Sequence, residues 1–281
     1  MSGAIEVALL DGIAGASGGQ VASVRPLTGA HEAMLEPRID ELPAERATRV
    51  IAAVTERIGD RAPVPQSLAR QLSAGDRERL LLGCAAATLG DQAELVAQCP
   101  HEGCGELIEL SQSLREAMRP PAGPPRPIEH ELLVRDGEGL RKLRFRLPNG
   151  ADQEAAARQA RSDPAAAAAM LLERCLVSTD GDAGAALDDP EIAAALDEAM
   201  GELDSAAEAS AEGSCPACGG PIKVLLDGMT LLSSGMASND RLTREIHILA
   251  SAYHWSETEI LALPLARRRR YLDLLQADAG S

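Results

Sequence analysis

Apolar positions early in the chain repeat at the period of an amphipathic helix. Val50, Ile51, Val54 and Ile58 follow a Leu-Pro pair at residues 42–43, with a spacing near 3.6 residues. This repeat predicts one helix with a single buried face that continues to Ile58. Proline-rich sequence follows and ends the helix.

Other segments complete the pattern of the first third of the chain. A short strand is predicted to begin at Val21, and residues 68–89 predict further helix with an apolar centre at 80–84. Residues 1–20 are rich in glycine, alanine and serine, so we expect them to be irregular and loosely attached.

Period-two alternation of apolar and polar residues predicts strands in the middle of the chain. Residues 129–135 and 141–147 lie on either side of an Asp-Gly-Glu-Gly turn and predict a β-hairpin, and the second arm alternates cationic and apolar residues at period two. Short apolar runs predict further strands at 107–110 and 222–226. The proline-rich run at 120–127 predicts an extended linker before the hairpin.

Helix start signals mark the segments that follow. Asp163 and Asp189 each precede a proline, which is the order expected of an N-cap residue and the first helical position. They predict helices at 165–177 and from 190 toward Met200.

The C-terminal segment is predicted to form three helices. The first is 241–255, a capping box at 256–259 starts the second, and Pro264 opens the third. Three of the four aromatic residues lie in this segment, and they are predicted to anchor a compact helical cluster because each buries far more area than alanine. These residues are Tyr253, Trp255 and Tyr271.

Composition and charge limit the function classes. A chain of 281 residues favours two or three subdomains, and with only 1% aromatic residues, alanine must fill much of the helical packing. The net charge of −16 argues against nucleic-acid binding by the whole chain, and the basic run 267–270 is expected to be a solvated helix face. No apolar run approaches the ~18 residues of a membrane span, so we expect a cytoplasmic protein without a membrane span.

Two cysteine pairs have matching neighbours, although more than a hundred residues separate them. Cys99 and Cys215 are each followed by proline, and Cys104 and Cys218 are each followed by glycine. Proline and glycine favour the tight chain reversal that brings two sulfurs to one metal. The spacing therefore predicts that these four cysteines share one structural Zn²⁺ in a split ribbon. Four thiolates fill every tetrahedral position, so such a metal shapes the fold and does not catalyse a reaction.

The sequence leaves other roles for these cysteines open. Disulfides are disfavoured because no signal peptide opens the chain, and a redox role is disfavoured because Gly-Gly-Pro at 219–221 would break a helix after Cys218. His101 could replace a cysteine as ligand, but we expect it to be exposed. Cys84 and Cys175 lie in apolar helical runs and are predicted to be core thiols.

Other polar residues give no signature of an active site. His247 and His254 are seven positions apart without a third ligand at helical spacing, which favours core or interface roles over a second metal site. The chain contains no nucleophile elbow, phosphate-binding loop or paired-carboxylate motif, so we expect it not to be an enzyme.

Seven motifs occur in order along the chain: 25–32, 75–82, the first cysteine pair, 145–152, 171–176, the second cysteine pair and 245–264. This set resembles the phage baseplate protein family, whose hub- and assembly-associated members with zinc knuckles belong to contractile tails and phage-tail-like injection systems. The resemblance spans roughly residues 21–276. It implies a structural or assembly component that acts by protein–protein interaction, with other baseplate, hub, spike or tape-measure proteins as partners.

We therefore predict an α+β fold that is mostly helical, with a split four-cysteine zinc ribbon, an inserted hairpin plus helices, and a C-terminal helical motif. A cytoplasmic zinc-ribbon regulator or nucleic-acid adaptor is the alternative to the baseplate function. The predicted organisation is an irregular segment 1–20, a mainly helical region 21–91, the ribbon at 92–119 and 212–236, the insertion 120–211 and the C-terminal motif 237–281.

Overall fold

The computed structural model describes residues 3–13, 15–120, 126–136, 139–180, 186–204, 207, 209–235 and 239–279. Helices and antiparallel strands are mixed along these residues, which confirms the α+β class. The strands are β1 Ile5–Ala8, β2 Val21–Val24, β3 Thr55–Ile58, β4 Gln92–Gln98, β5 Leu107–Ser113, β6 Glu129–Asp136, β7 Gly139–Arg146, β8 Leu176–Thr179, β9 Ser210–Ser214 and β10 Pro221–Leu225. The helices are α1 Gly29–Glu32, α2 Pro43–Val54, α3 Gln66–Ala69, α4 Ala74–Leu89, α5 Leu114–Ala117, α6 Gly150–Ala160, α7 Pro164–Cys175, α8 Pro190–Leu203, α9 Gly228–Gly235, α10 Asn239–Tyr253, α11 Glu257–Leu261 and α12 Leu265–Ala279.

The N-terminal segment contributes a strand to a three-stranded sheet with the order β1-β2-β3. β2 begins at Val21 as predicted, and Val7 of β1 lies opposite Ala22. The expectation that residues 1–20 are irregular is therefore wrong for β1. Alternating apolar residues in β1 pair with β2, and Val7 is buried in the core.

The helix predicted to reach Ile58 ends earlier. α2 stops at Val54, and β3 then pairs with β2, with Ile58 opposite Ala22. Ile58 is fully buried in the strand, as it would have been on the predicted helix face. Hydrophobic periodicity cannot distinguish these two structures over four residues.

Helix α4 forms the centre of the main core. Of its 16 residues, 13 are buried, so the helix is enclosed on nearly all sides. The predicted helix at 68–89 is divided into α3 and α4 because Ser73 interrupts it as the N-cap of α4. A Cβ atom at Gly83 would lie 2.5 Å from Cγ2 of Val7, so glycine allows β1 to pack directly against α4.

The insertion has a core of its own. The predicted hairpin is present as β6 and β7, β8 adds a third strand, and Phe145, Leu196 and Met200 are buried among α7 and α8. The helix predicted at 165–177 ends at Cys175, because Leu176 pairs with Phe145 as part of β8. The extended linker predicted at 120–127 falls largely on 121–125, which lie outside the described residues.

The insertion packs against the N-terminal region through buried polar contacts. Glu154 of α6 accepts hydrogen bonds from Thr48 Oγ1 at 2.6 Å and from Arg70 Nε at 2.9 Å. The backbone N–H of Gly75 donates to Asp204 Oδ2 at 2.9 Å. These contacts hold the insertion against α2, the end of α3 and the start of α4.

The C-terminal region forms the three predicted helices α10, α11 and α12, and the capping box of Ser256 and Glu259 is present. The expectation of a solvated basic run is wrong for Arg268, which is completely buried. Its Nε donates to Glu245 at 3.0 Å, and its Nη2 contacts Glu32 of α1. Arg268 therefore ties α12 to both α10 and α1.

Candidate metal centre

Two β-hairpins present the cysteine pairs to each other. β4 and β5 pair antiparallel with Gln98 opposite Leu107, and β9 and β10 pair with Ser214 opposite Pro221. Each cysteine pair occupies the turn of its hairpin. The sequence predicted the strands after the cysteines but neither β4 nor β9 before them. Ser210–Ser214 lacks an apolar run.

The two turns follow the same backbone scheme. The N–H of Cys99 donates to the carbonyl of Glu106 at 2.8 Å, and the N–H of Cys215 donates to the carbonyl of Gly220 at 2.8 Å. Gly105 and Gly219 follow the second cysteine of each pair with φ angles of 65° and 73°. These positive φ angles favour glycine, so the matching Cys-Gly pairs have a local structural cause.

The four thiols converge on one point. Their sulfur atoms all lie within 4.8 Å of one another, although 119 residues separate Cys99 from Cys218. The Cys99–Cys218 and Cys104–Cys215 sulfur pairs are each 3.7 Å apart. A disulfide needs about 2.05 Å, so these cysteines are free thiols in a geometry compatible with a metal site.

Backbone hydrogen bonds favour the ionised form of the Cys215 thiol. Backbone N–H groups of Cys218 and Ala217 donate to the sulfur of Cys215 and lower its pKa to about 7. Burial instead raises the pKa of Cys99 to about 12. A metal ion that binds these thiols must therefore displace a proton from Cys99, and it binds more tightly as pH rises.

His101 lies between the two turns and is only partly exposed, so the expectation of an exposed residue is wrong. Its Nδ1 is 3.3 Å from the sulfur of Cys99. A Cβ atom on Gly220 would lie 2.4 Å from the imidazole ring, so the ring occupies the space beside this glycine. The signal in the sequence was the second glycine after Cys218, which leaves room for a side chain from the other hairpin.

The remaining cysteines are core residues as predicted. Cys84 and Cys175 are fully buried, and burial raises the pKa of each thiol to about 12. His247 and His254 are both exposed, so neither has the core role considered for them. Among the described residues, the four-cysteine cluster is the one group that offers three or more converging metal ligands.

The structure also contains a cleft, away from the cysteines, that was not predicted from the sequence. A cleft of about 720 Å³ lies between α2, α4 and α9, with Glu78 and Asp227 among its lining residues. Glu78 accepts the N–H of Gly228 at 2.5 Å, and burial raises its pKa to about 7. Asp227 accepts the N–H of Thr230 at 2.5 Å. Both acids thus cap the start of α9. The contact of Asp227 is local, whereas that of Glu78 joins residues 150 positions apart and depends on the tertiary fold.

Comparison of the chain with protein-family models, curated proteins and solved structures gives no match. Among the described residues, no helix combines the length and apolar character needed to cross a membrane.

Proposed function

We propose that the four thiols hold one structural Zn²⁺ and that the protein is a non-enzymatic component of a multiprotein assembly. Metal–sulfur bonds of about 2.3 Å in a tetrahedron place neighbouring sulfurs about 3.8 Å apart. The sulfur pairs at 3.7 Å match this edge length. Zinc fits an all-thiolate donor set, and four protein ligands leave no coordination position for a substrate.

The metal would act as a clamp between the two hairpins. The two hairpins, β4–β5 and β9–β10, together form a module with a small buried cluster. This cluster consists of Cys99, Ile108, Cys215 and Ile222, with Leu110 packed against it. A Cβ atom on Gly213 would lie 2.8 Å from Cδ2 of Leu110, so the hairpins touch closely beside the cysteines. So small an apolar core needs a metal to hold it together.

The finer proposal is a structural or assembly component of the baseplate or hub of a contractile phage-tail-like particle. Its support is the ordered set of motifs that resembles the phage baseplate protein family, together with the closed four-thiol geometry. The alternative of a nucleic-acid adaptor relied partly on the run Arg267–Arg270. Burial of Arg268 in ion pairs leaves fewer arginines for phosphate contacts, which weakens that alternative.

Mass spectrometry of purified particles and of the lysate of the same cells tests the particle function. A subunit should be present in the particles at constant stoichiometry, whereas an assembly factor should remain in the lysate and co-purify with hub, spike or tape-measure proteins. Complete, active particles from a strain without this protein would refute both forms of the proposal.

A further inference from the structure

The three aromatic residues of the C-terminal region form a stacked cluster at the surface. The rings of Tyr253 and Trp255 are stacked at 4.8 Å, and Trp255 meets Tyr271 edge-on at 4.9 Å. All three side chains are partly exposed, and none belongs to the buried core clusters of the described residues. The residues predicted to anchor the helices therefore present part of their area to solvent.

Two arginines of α12 lie on the same helix face as Tyr271. Arg267, Arg270, Tyr271 and Leu274 are spaced to share one helix face. Arg267 lies over the ring of Tyr271 at 6.0 Å, near the outer limit of a cation–π contact. Leu274 is 50% exposed and extends the apolar part of this face.

These two arginines differ from most others in the protein. The buried Arg49 and Arg268 are paired with carboxylates, and many exposed arginines are also paired. Within the part of the chain that the structure describes, no carboxylate lies within 4 Å of Arg267 or Arg270, although both are exposed. Asp273 lies three positions after Arg270 without an ion pair to it among the described residues, and Asp278 lies about two turns beyond Tyr271.

We propose that this surface, the aromatic–arginine patch, docks an acidic protein segment that carries an apolar side chain. Trp, Tyr and Arg are the residues that most often dominate binding energy at interfaces, because they combine large apolar area with directional polar groups. The guanidinium groups would pair with carboxylates of the partner, and the exposed ring faces would receive its apolar residue. The patch consists of Tyr253, Trp255, Arg267, Arg270, Tyr271 and Leu274.

The net charge of the chain favours a protein segment over a nucleic acid as the partner of this patch. The whole chain carries −16, so a long polyanion would be repelled by the surrounding surface. Two arginines also make few phosphate contacts. A short acidic segment can place its carboxylates locally while its apolar residue is buried against the rings. This proposal rests on the proposed role in protein–protein assembly and identifies the chemistry of one partner.

Selection of a displayed random peptide library on the intact protein tests the proposal. We expect enriched peptides to combine acidic residues with an aliphatic or aromatic residue. Trp255 is the one tryptophan in the chain, so binding of these peptides should directly change the intrinsic tryptophan emission. The variant R267E/R270E should weaken their binding by about tenfold or more.

The matched control is R269E/R135E, which changes the net charge by the same amount. Arg269 is exposed on another face of α12, and Arg135 is exposed on β6. This control should bind within about twofold of the original protein. If R267E/R270E does not fold, as judged by circular dichroism, the neutral variant R267Q/R270Q replaces it.

Four outcomes would overturn the docking proposal: no enriched peptide, enriched peptides without an acidic excess, equal losses in both charge variants, or preference for a single-stranded oligonucleotide over the peptides. The peptide result does not depend on particle formation. Failure of the baseplate proposal in the particle experiment would therefore leave the docking proposal standing, and the reverse also holds.

Discussion

At the scale of single residues, paired buried charges connect distant parts of the chain. Arg268 and Glu32 are 236 positions apart in the sequence, yet both are almost completely removed from solvent. Glu245 and Arg241 complete the network, with Arg241 2.6 Å from Glu32. Each charge is stabilised by the opposite charge, so the loss of one partner leaves an uncompensated buried group.

Replacement of Arg268 by alanine should lower the free energy of unfolding by about 3 kcal/mol. Glu32 and Glu245 would then have Arg241 as the one remaining arginine of the network to balance their charges. Urea unfolding followed by circular dichroism measures the change, and Arg269→Ala, at an exposed position of the same helix, should cost less than about 0.5 kcal/mol. Equal losses in the two variants would contradict a structural role for the network.

Asp204 should make stability depend on pH in a specific direction. Burial raises the pKa of Asp204 from 3.8 to about 6, so between these values the folded state binds a proton that the unfolded state has lost. The stabilising contribution is complete below pH 3.8 and is lost as pH rises through about 6. Asp204→Asn stays neutral and can still accept the N–H of Gly75.

We therefore expect the stability of Asp204→Asn relative to the original protein to increase by up to about 3 kcal/mol between pH 4 and pH 7. Urea titrations at several pH values measure this difference, and the exposed Asp273→Asn serves as control with no trend. A flat difference for Asp204→Asn would show that burial does not shift its ionisation.

The sequence predicted the four converging cysteines because turn chemistry is local. Proline after the first cysteine and glycine after the second specify each turn without knowledge of the rest of the fold. It could not predict the burial of Arg268, since the acids that neutralise it come from α1 and α10. The position of His101 likewise depends on a glycine of the other hairpin.

At the scale of elements, helices with caps were predicted and several strands were missed or misread. α8 and α11 begin at an Asp-Pro pair and a capping box, both of which act within a few residues. β1, β3 and β8 have four residues each and exist because a neighbouring strand pairs with them. That pairing is a long-range property that local periodicity does not contain.

Metal binding between the two hairpins should require all four cysteines. The variant Cys215→Ser/Cys218→Ser should lose the one Zn²⁺ per chain that we propose, because two thiolates cannot close the site. Metal content by mass spectrometry of the folded protein measures this loss. Cys84→Ala/Cys175→Ala removes the same number of thiols and should keep its zinc, whereas unchanged metal in the first variant would refute the site.

At the scale of the whole molecule, the two cysteine hairpins, β4–β5 and β9–β10, form a module with an apolar cluster distinct from the main core. The main core surrounds α4 and includes Leu80, Leu82 and Val54, whereas the module has its own small cluster around Cys99 and Cys215. The two units meet at the open ends of the hairpins, where Ala93 of β4, Ala211 of β9 and Leu226 after β10 pack into the main core.

Removal of zinc by a chelator should therefore loosen the module and leave the core folded. Hydrogen exchange should accelerate in β4, β5, β9 and β10, while α4 keeps its protection. Exchange followed by mass spectrometry resolves these segments. Equal acceleration in α4 would show that the fold is one cooperative unit that requires the metal.

The separation of the two cysteine pairs along the chain also determines when, during synthesis, all four cysteines can meet. Cys104 and Cys215 are 111 residues apart, so at about 5–20 residues per second the ribosome needs roughly 5–20 s to deliver the second pair after the first. During this interval the first hairpin carries two thiols without their partners, while the inserted helices emerge. The proposed metal can therefore be bound by all four thiols only late in synthesis, and until then the two thiols of the first hairpin stay reduced only in reducing surroundings.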